Sequence, residues 1–153
     1  MKQLNLICLL FSTLLILSCD KDEPQPALTE EEMVIGNWQR TGFRREIYDV
    51  NGGLVGDEYY ADTEFTITYT KDKYTLSSRG HVETGTYDFK VDQDTRYLQL
   101  EEINNTISRT LFIDSVSRSK LDFHYTIDQY SNYGEPVYIG RTVYYEFYKK
   151  KNR

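Results

Sequence analysis

Along most of this chain apolar and polar residues alternate one for one. Phe65, Ile67 and Tyr69 interleave with Thr66, Thr68 and Thr70. Tyr87, Phe89 and Val91 interleave with Thr86, Asp88 and Lys90. Leu121, Phe123, Tyr125 and Ile127 interleave with Asp122, His124, Thr126 and Asp128. Successive side chains of a strand point to opposite faces, so a period of two predicts half-buried antiparallel strands. Runs of the same kind span 38–49, 73–78, 97–101, 106–114 and 137–149. Their wealth of Tyr, Thr, Ile, Val and Phe suits a pleated surface.

Residues that tolerate tight or left-handed backbone separate these runs at 51–53, 71–73, 79–80, 92–94, 104–105, 117–119 and 132–134. About eight strands at short, regular spacing, with no helical run between them, predict an all-β meander folded as a barrel or a sandwich. An open meander would leave long apolar edges, so an up-and-down antiparallel barrel is the expected fold.

The first residues break the pattern. Lys2 precedes the apolar run 6–17, which is too short to span a bilayer as a helix, and Ser18 and Cys19 follow it. Residues 1–18 are expected to be a signal peptide. Ile16-Leu17-Ser18-Cys19 resembles the lipobox of bacterial lipoproteins, which implies lipidation of Cys19 and an outer-membrane anchor made of its acyl chains. Lys21, Asp22 and Glu23 resemble the export signal of surface lipoproteins in the Bacteroidota, which implies a surface-exposed outer membrane lipoprotein. Residues 19–32 hold Pro24, Pro26 and many acids and are expected to be a flexible tether. Within them Thr29 and Glu32 have the spacing of a helix-capping box, so a helical turn is expected at 29–34. The barrel domain is expected over 33–150.

Composition then narrows the chemistry. Cys8 leaves with the signal and Cys19 is acylated, so no free thiol is expected in the mature chain. The net charge of −6 becomes −7 once residues 1–18, charged only at Lys2, are removed. Such an acidic chain is a poor nucleic-acid ligand. His81 and His124 lie on different strands with no Cys/His cluster, and His124 is out of phase with Phe123 and Tyr125, hence expected to face solvent. Adjacent acids and the lack of a nucleophile-elbow motif argue against an enzyme, and no cofactor or metal is implied.

Gly36 and Trp38, opening the first strand behind the tether, resemble the Gly-x-Trp start of lipocalins and of lipocalin-like lipoproteins of the Bacteroidota. The segments 85–89, 98–100, 121–123 and 145–149 are similar to that group too. The resemblance implies a calycin-type barrel whose tryptophan plugs the closed end beneath a basic residue of the last strand, for which Arg141 and Lys149 are available. It also implies a small-molecule ligand. The chain lacks the disulfide and C-terminal helix of secreted lipocalins, so ligand binding is not simply inherited.

Arg109 shares phase with Ile107, Leu111 and Ile113, and Arg141 with Ile139, Val143, Tyr145 and Phe147. If those phases face inward, two guanidinium groups enter an apolar interior and require partners. A ligand anion would satisfy them. So would an acid such as Glu83 or Glu146, were the arginines near the barrel ends. Arg109, Arg141, Tyr125 and Tyr145 are therefore the candidate contacts for a small amphipathic or glycan-related ligand. The fourteen tyrosines also allow a protein-binding surface: an inhibitor, an immunity factor or an accessory subunit with a filled core. The segments 130–136 and 57–62 are its candidate contact loops, and Asp114-Ser115-Val116 resembles a short O-glycosylation signal.

Overall fold

A computed structural model of the chain describes residues 27–102, 108–131 and 135–151. Residues 1–18, Cys19, Lys21, Asp22 and Glu23 lie outside the described residues, as do the turns at 104–105 and 132–134.

Among the described residues are a helical turn, α1 (Glu30–Val34), and nine strands: β1 (Gly36–Asp49), β2 (Leu54–Ala61), β3 (Phe65–Tyr69), β4 (Lys73–Ser78), β5 (His81–Asp92), β6 (Thr95–Glu102), β7 (Ser108–Val116), β8 (Lys120–Tyr130) and β9 (Tyr138–Lys150). All pairings are antiparallel. β3 to β9 form a meander whose ends both pair with β1, which closes an eight-stranded barrel. Closure through β1 pairs β3 and β9, the two ends of the meander, which an open sheet would leave as edges.

β2 is an addition to the expected eight. It pairs with β1 from Gly42↔Ala61 to Tyr48↔Leu54, while β3 pairs with the start of β1 from Gly36↔Tyr69 to Gln39↔Thr66. β2 and β3 therefore lie end to end along β1, broken at 62–64. β2 is largely solvent-exposed, Leu54 and Val55 included, so it carries no alternating pattern from which to be read. β5 begins well before its visible alternation because its inward positions there hold Glu83 and Gly85 rather than apolar residues. A Cβ on Gly85 would fall 2.2 Å from the Glu101 carbonyl oxygen and 2.4 Å from the Tyr74 ring, so only glycine admits that ring across the pair Tyr74↔Gly85.

Trp38 is fully buried at the closed end, among Ile67, Tyr69, Leu98, Leu121 and Tyr148. Its indole N–H donates to the Val34 carbonyl, 2.7 Å away, which ties the barrel floor to the end of α1. The expected capping box forms: Thr29 Oγ1 accepts from Glu32 N at 3.2 Å, and Glu32 Oε2 accepts from Thr29 N at 2.8 Å. Arg96 pairs with Glu30 and holds the turn against β6. The cation over the tryptophan is Lys150, not Arg141 or Lys149. Its Nζ lies 4.6 Å from the ring centroid and donates to the Ile35 carbonyl at 2.7 Å. Lys150 is the register partner of Trp38; Lys149 is one residue out of phase, and Arg141 pairs with Tyr48 at the other end of β9. Gly36 takes φ +147, and a Cβ there would fall 2.4 Å from Lys150 Cε, so this glycine lets the lysine lie across the floor.

Candidate functional site

The inward positions above the floor change from wholly apolar to mixed. Arg40 follows Trp38 on the inner face of β1, and Glu146 precedes Tyr148 on that of β9. One Arg40 nitrogen, Nη1, lies 3.3 Å from Glu146 Oε1; the other, Nη2, pairs with Asp62, which the break between β2 and β3 brings over the barrel. Asp62 Oδ1 accepts from Glu64 N at 2.9 Å, which fixes that break. Tyr125 donates to Glu146 Oε1 at 3.3 Å, and Tyr148 donates to Oε2. The Arg40 guanidinium also lies over Phe65, 4.1 Å from its centroid.

Burial alone would lower the Arg40 pKa, but the hydrogen bond to Asp62 and the charge of Glu146 outweigh it and hold the pKa above its ordinary value. Asp62 is the mirror case: burial works against its charge, yet Arg40 holds it below the usual aspartate value. Desolvation first and the Glu146 charge second raise the pKa values of Tyr125, Tyr148 and Tyr69, so these phenols stay protonated and able to donate. The Tyr69 hydroxyl and Arg40 Nε, both buried, have no hydrogen-bond partner among the described residues.

This network forms one wall of an interior cavity of about 210 Å3. Phe65, Ile67, Leu76, Leu100, Leu111 and Phe123 supply the apolar lining; Arg40, Glu146, Tyr125, Tyr148 and Arg109 supply the polar part. An apolar chamber with a few convergent polar groups suits a small organic ligand. Its volume lies below the usual range for drug-sized ligands, so the whole of a large lipid does not fit.

Beside the cavity the barrel wall splits. The β7–β8 ladder runs from Val116↔Leu121 to Phe112↔His124 and stops there, although β7 continues back to Ser108 and β8 on to Tyr130. Between the diverging strands lies a groove of about 780 Å3 lined by Ser108, Arg109, Thr110, Phe112, Tyr125, Thr126 and Ile127. Arg109 and Tyr125 line both the groove and the cavity.

Two of the four candidate contacts thus meet at one site and two do not. Arg109 reaches the cavity, 3.8 Å from Glu83, one of the acids available to it in the sequence. Arg141 and Tyr145 lie on the opposite face of β9, because Glu146 and Tyr148 take the inner phase. The Arg141 guanidinium stacks 5.1 Å from the Tyr48 ring, and Tyr145 donates to Glu46 at 3.1 Å. Their phase is apolar because a cross-strand row covers the outside of the barrel: Tyr97, Phe112, His124, Tyr145 and Arg44 stand in register, with neighbouring centroids 5.3–6.1 Å apart along the rings. His124 faces outward as expected, but it is packed between Phe112 and Tyr145 and bonded to Asp114 at 2.8 Å.

The segment 57–62 is largely the end of β2, and its acids are engaged: Asp57 with Arg44, Glu58 with Arg45 and Tyr60, and Asp62 with Arg40. At the ends of 130–136, Tyr130 meets Tyr138 edge-on at 5.9 Å; residues 132–134 lie outside the described residues. Ser115 lies within β7 and donates to Asp122 at 3.0 Å.

Arg40 and Asp62 were missed as site residues, and Glu146 was weighed only as a counter-ion. The available signal was phase: Arg40 stands two residues after Trp38, on the same face of one strand.

No family model and no curated protein matches this sequence. Among solved structures, the chain is similar to a lipocalin-like protein from Bacteroides uniformis, at 12% identity and a TM-score of 0.43, over 78% of this chain and 99% of that one.

Proposed function

We propose that this protein is a non-enzymatic binding lipoprotein, lipidated at Cys19 and presented on the outer membrane surface, whose barrel takes a small amphipathic or glycan-related ligand. The observation that carries the reading is the cavity: six apolar side chains face Arg40, Glu146, Tyr125, Tyr148 and Arg109 across about 210 Å3. Arg40 is already engaged by Asp62 and Glu146, so a free anion has little call on it. The ligand's polar part is better met by hydrogen bonds, given to Glu146 and the Tyr125 oxygen and taken from Arg109, while a short apolar part enters among Leu100, Leu111 and Phe123. Hydroxyl-bearing headgroups fit that description.

Calorimetry with hexyl glucoside and hexanoate tests it. The glucoside is expected to bind the wild-type protein more tightly than the carboxylate, and Leu111→Phe, which fills the cavity, is expected to abolish binding of both. If neither binds, or if the filled variant binds as well as wild type, the cavity reading is wrong. The anchor is tested separately: Cys19→Ala is expected to leave the protein out of the membrane fraction, and a membrane-bound variant would refute lipidation at that residue.

A further inference from the structure

We infer that the split between β7 and β8, which shares Arg109 and Tyr125 with the interior cavity, accepts an extended peptide strand from a partner protein. β7 is paired with β6 as far as Glu101↔Ser108, and β8 is paired with β9 as far as Tyr130↔Tyr138. Among the described residues each strand is therefore bonded on one edge, while the edges that face each other across the groove, over Ser108 to Leu111 and Tyr125 to Tyr130, have no ladder between them. Strand edges present alternating N–H and C=O groups at a fixed rise, and what satisfies such a row is another strand.

The side chains around the split state what that strand carries. On the inner phase stand Arg109, Tyr125 and Ile127; on the outer phase stand Ser108, Thr110, Phe112 and Thr126. An inserted strand alternates likewise, with hydroxyl or other polar residues outward and apolar residues inward against Ile127, which is 49% exposed without it. Among the described residues the groove lining holds a cation and no acid. Arg109 is about half exposed and its contact with Glu83 is long, at 3.8 Å, so an acidic residue at an inward position has a partner ready. The occupant is thus a β-prone segment of alternating character with one acid.

The probe is the peptide Thr-Val-Thr-Glu-Thr-Val-Thr, compared with the same peptide N-methylated at alternate residues, against the full chain with Cys8 and Cys19 replaced by serine. The plain peptide is expected to bind and to slow amide exchange at residues 108–111 and 125–130. N-methylation, which removes donors without changing the side chains, is expected to weaken binding about tenfold or more. Blocking the split with a Thr110→Cys/Thr126→Cys pair bridged by a short bismaleimide is expected to abolish peptide binding. Equal binding of the two peptides, binding without added amide protection at both edges, or no binding of the plain peptide overturns the inference. A bridge that blocks hexyl glucoside while the plain peptide fails to bind would instead make the split the entrance to the cavity, an outcome that leaves the proposed function standing.

Discussion

Arg40 shows how a single side chain decides the character of this interior. Placing a guanidinium among Phe65, Ile67 and Tyr148 costs more than its attraction to one acid returns, which is why it is met by two acids and two aromatic faces. Removing the cation alone leaves Glu146 and Asp62 buried without it. Arg40→Met is therefore expected to lower stability by about 3–5 kcal/mol, and adding Glu146→Leu is expected to recover part of that loss. Urea unfolding followed by the fluorescence of Trp38, the one tryptophan of the chain, measures both. A double variant no more stable than the single one would mean that the pair does not act as a unit. Gly85→Ala is a steric counterpart: with the Glu101 carbonyl 2.2 Å from the new Cβ, overpacking is expected to cost about 1–3 kcal/mol in the same assay.

At the scale of elements, legibility followed burial. β3, β4, β6 and the middle of β8 were readable because one face of each is core and the other solvent, which leaves the period of two in the sequence. β2 was not, since little of it is buried and neither phase was selected to be apolar. β9 was ambiguous in the opposite way: its outer phase is apolar because the aromatic row covers it, so alternation alone left Arg141 and Tyr145 as candidates for an inner face that they do not occupy. The closed end was legible in kind, as a glycine, a tryptophan and a cation of the last strand, but the choice of Lys150 required the β1–β9 register. Lys150→Met is expected to cost about 1 kcal/mol in urea unfolding through loss of the cation over the indole, while Lys149→Met, whose side chain is exposed, is expected to cost nearly nothing. Equal effects of the two would show that the contact with Trp38 contributes little.

The whole molecule is a barrel that comes apart along one seam for a topological reason. β9 pairs with β1 as far as Asp49↔Gly140 and with β8 as far as Tyr130↔Tyr138, so β8 follows the extension made by β1, β2 and β9 and leaves β7 behind. Opening the seam brings solvent toward phenols and an ion pair that the rest of the barrel keeps dry, and stability is expected to depend on pH at both extremes. Burial holds Tyr69, Tyr74, Tyr125 and Tyr148 above the ordinary tyrosine value of 10.0 and pushes Tyr87 up to about 12. Their folded-state values exceed the unfolded ones, so their contribution is complete below pH 10.0 and is lost as pH rises through the raised values. Asp62 has the other sign. Held below 3.8 by Arg40, it contributes above that pH, and the contribution is lost as pH falls through the depressed value. Stability measured by urea unfolding is thus expected to be level through neutral pH, to fall on the acid side below about pH 3.8, and to fall more steeply on the alkaline side above 10.0. Asp62→Asn, already without that charge, is expected to be less stable at neutral pH and to lose much of the acid dependence. On the alkaline side, part of the tyrosinate absorbance is expected to rise only together with the loss of β-sheet circular dichroism, because these phenols ionise once the barrel has opened. A single smooth titration of all the tyrosines with the circular dichroism unchanged would show that the interior is wet, and that the cavity is no separate environment from the groove beside it.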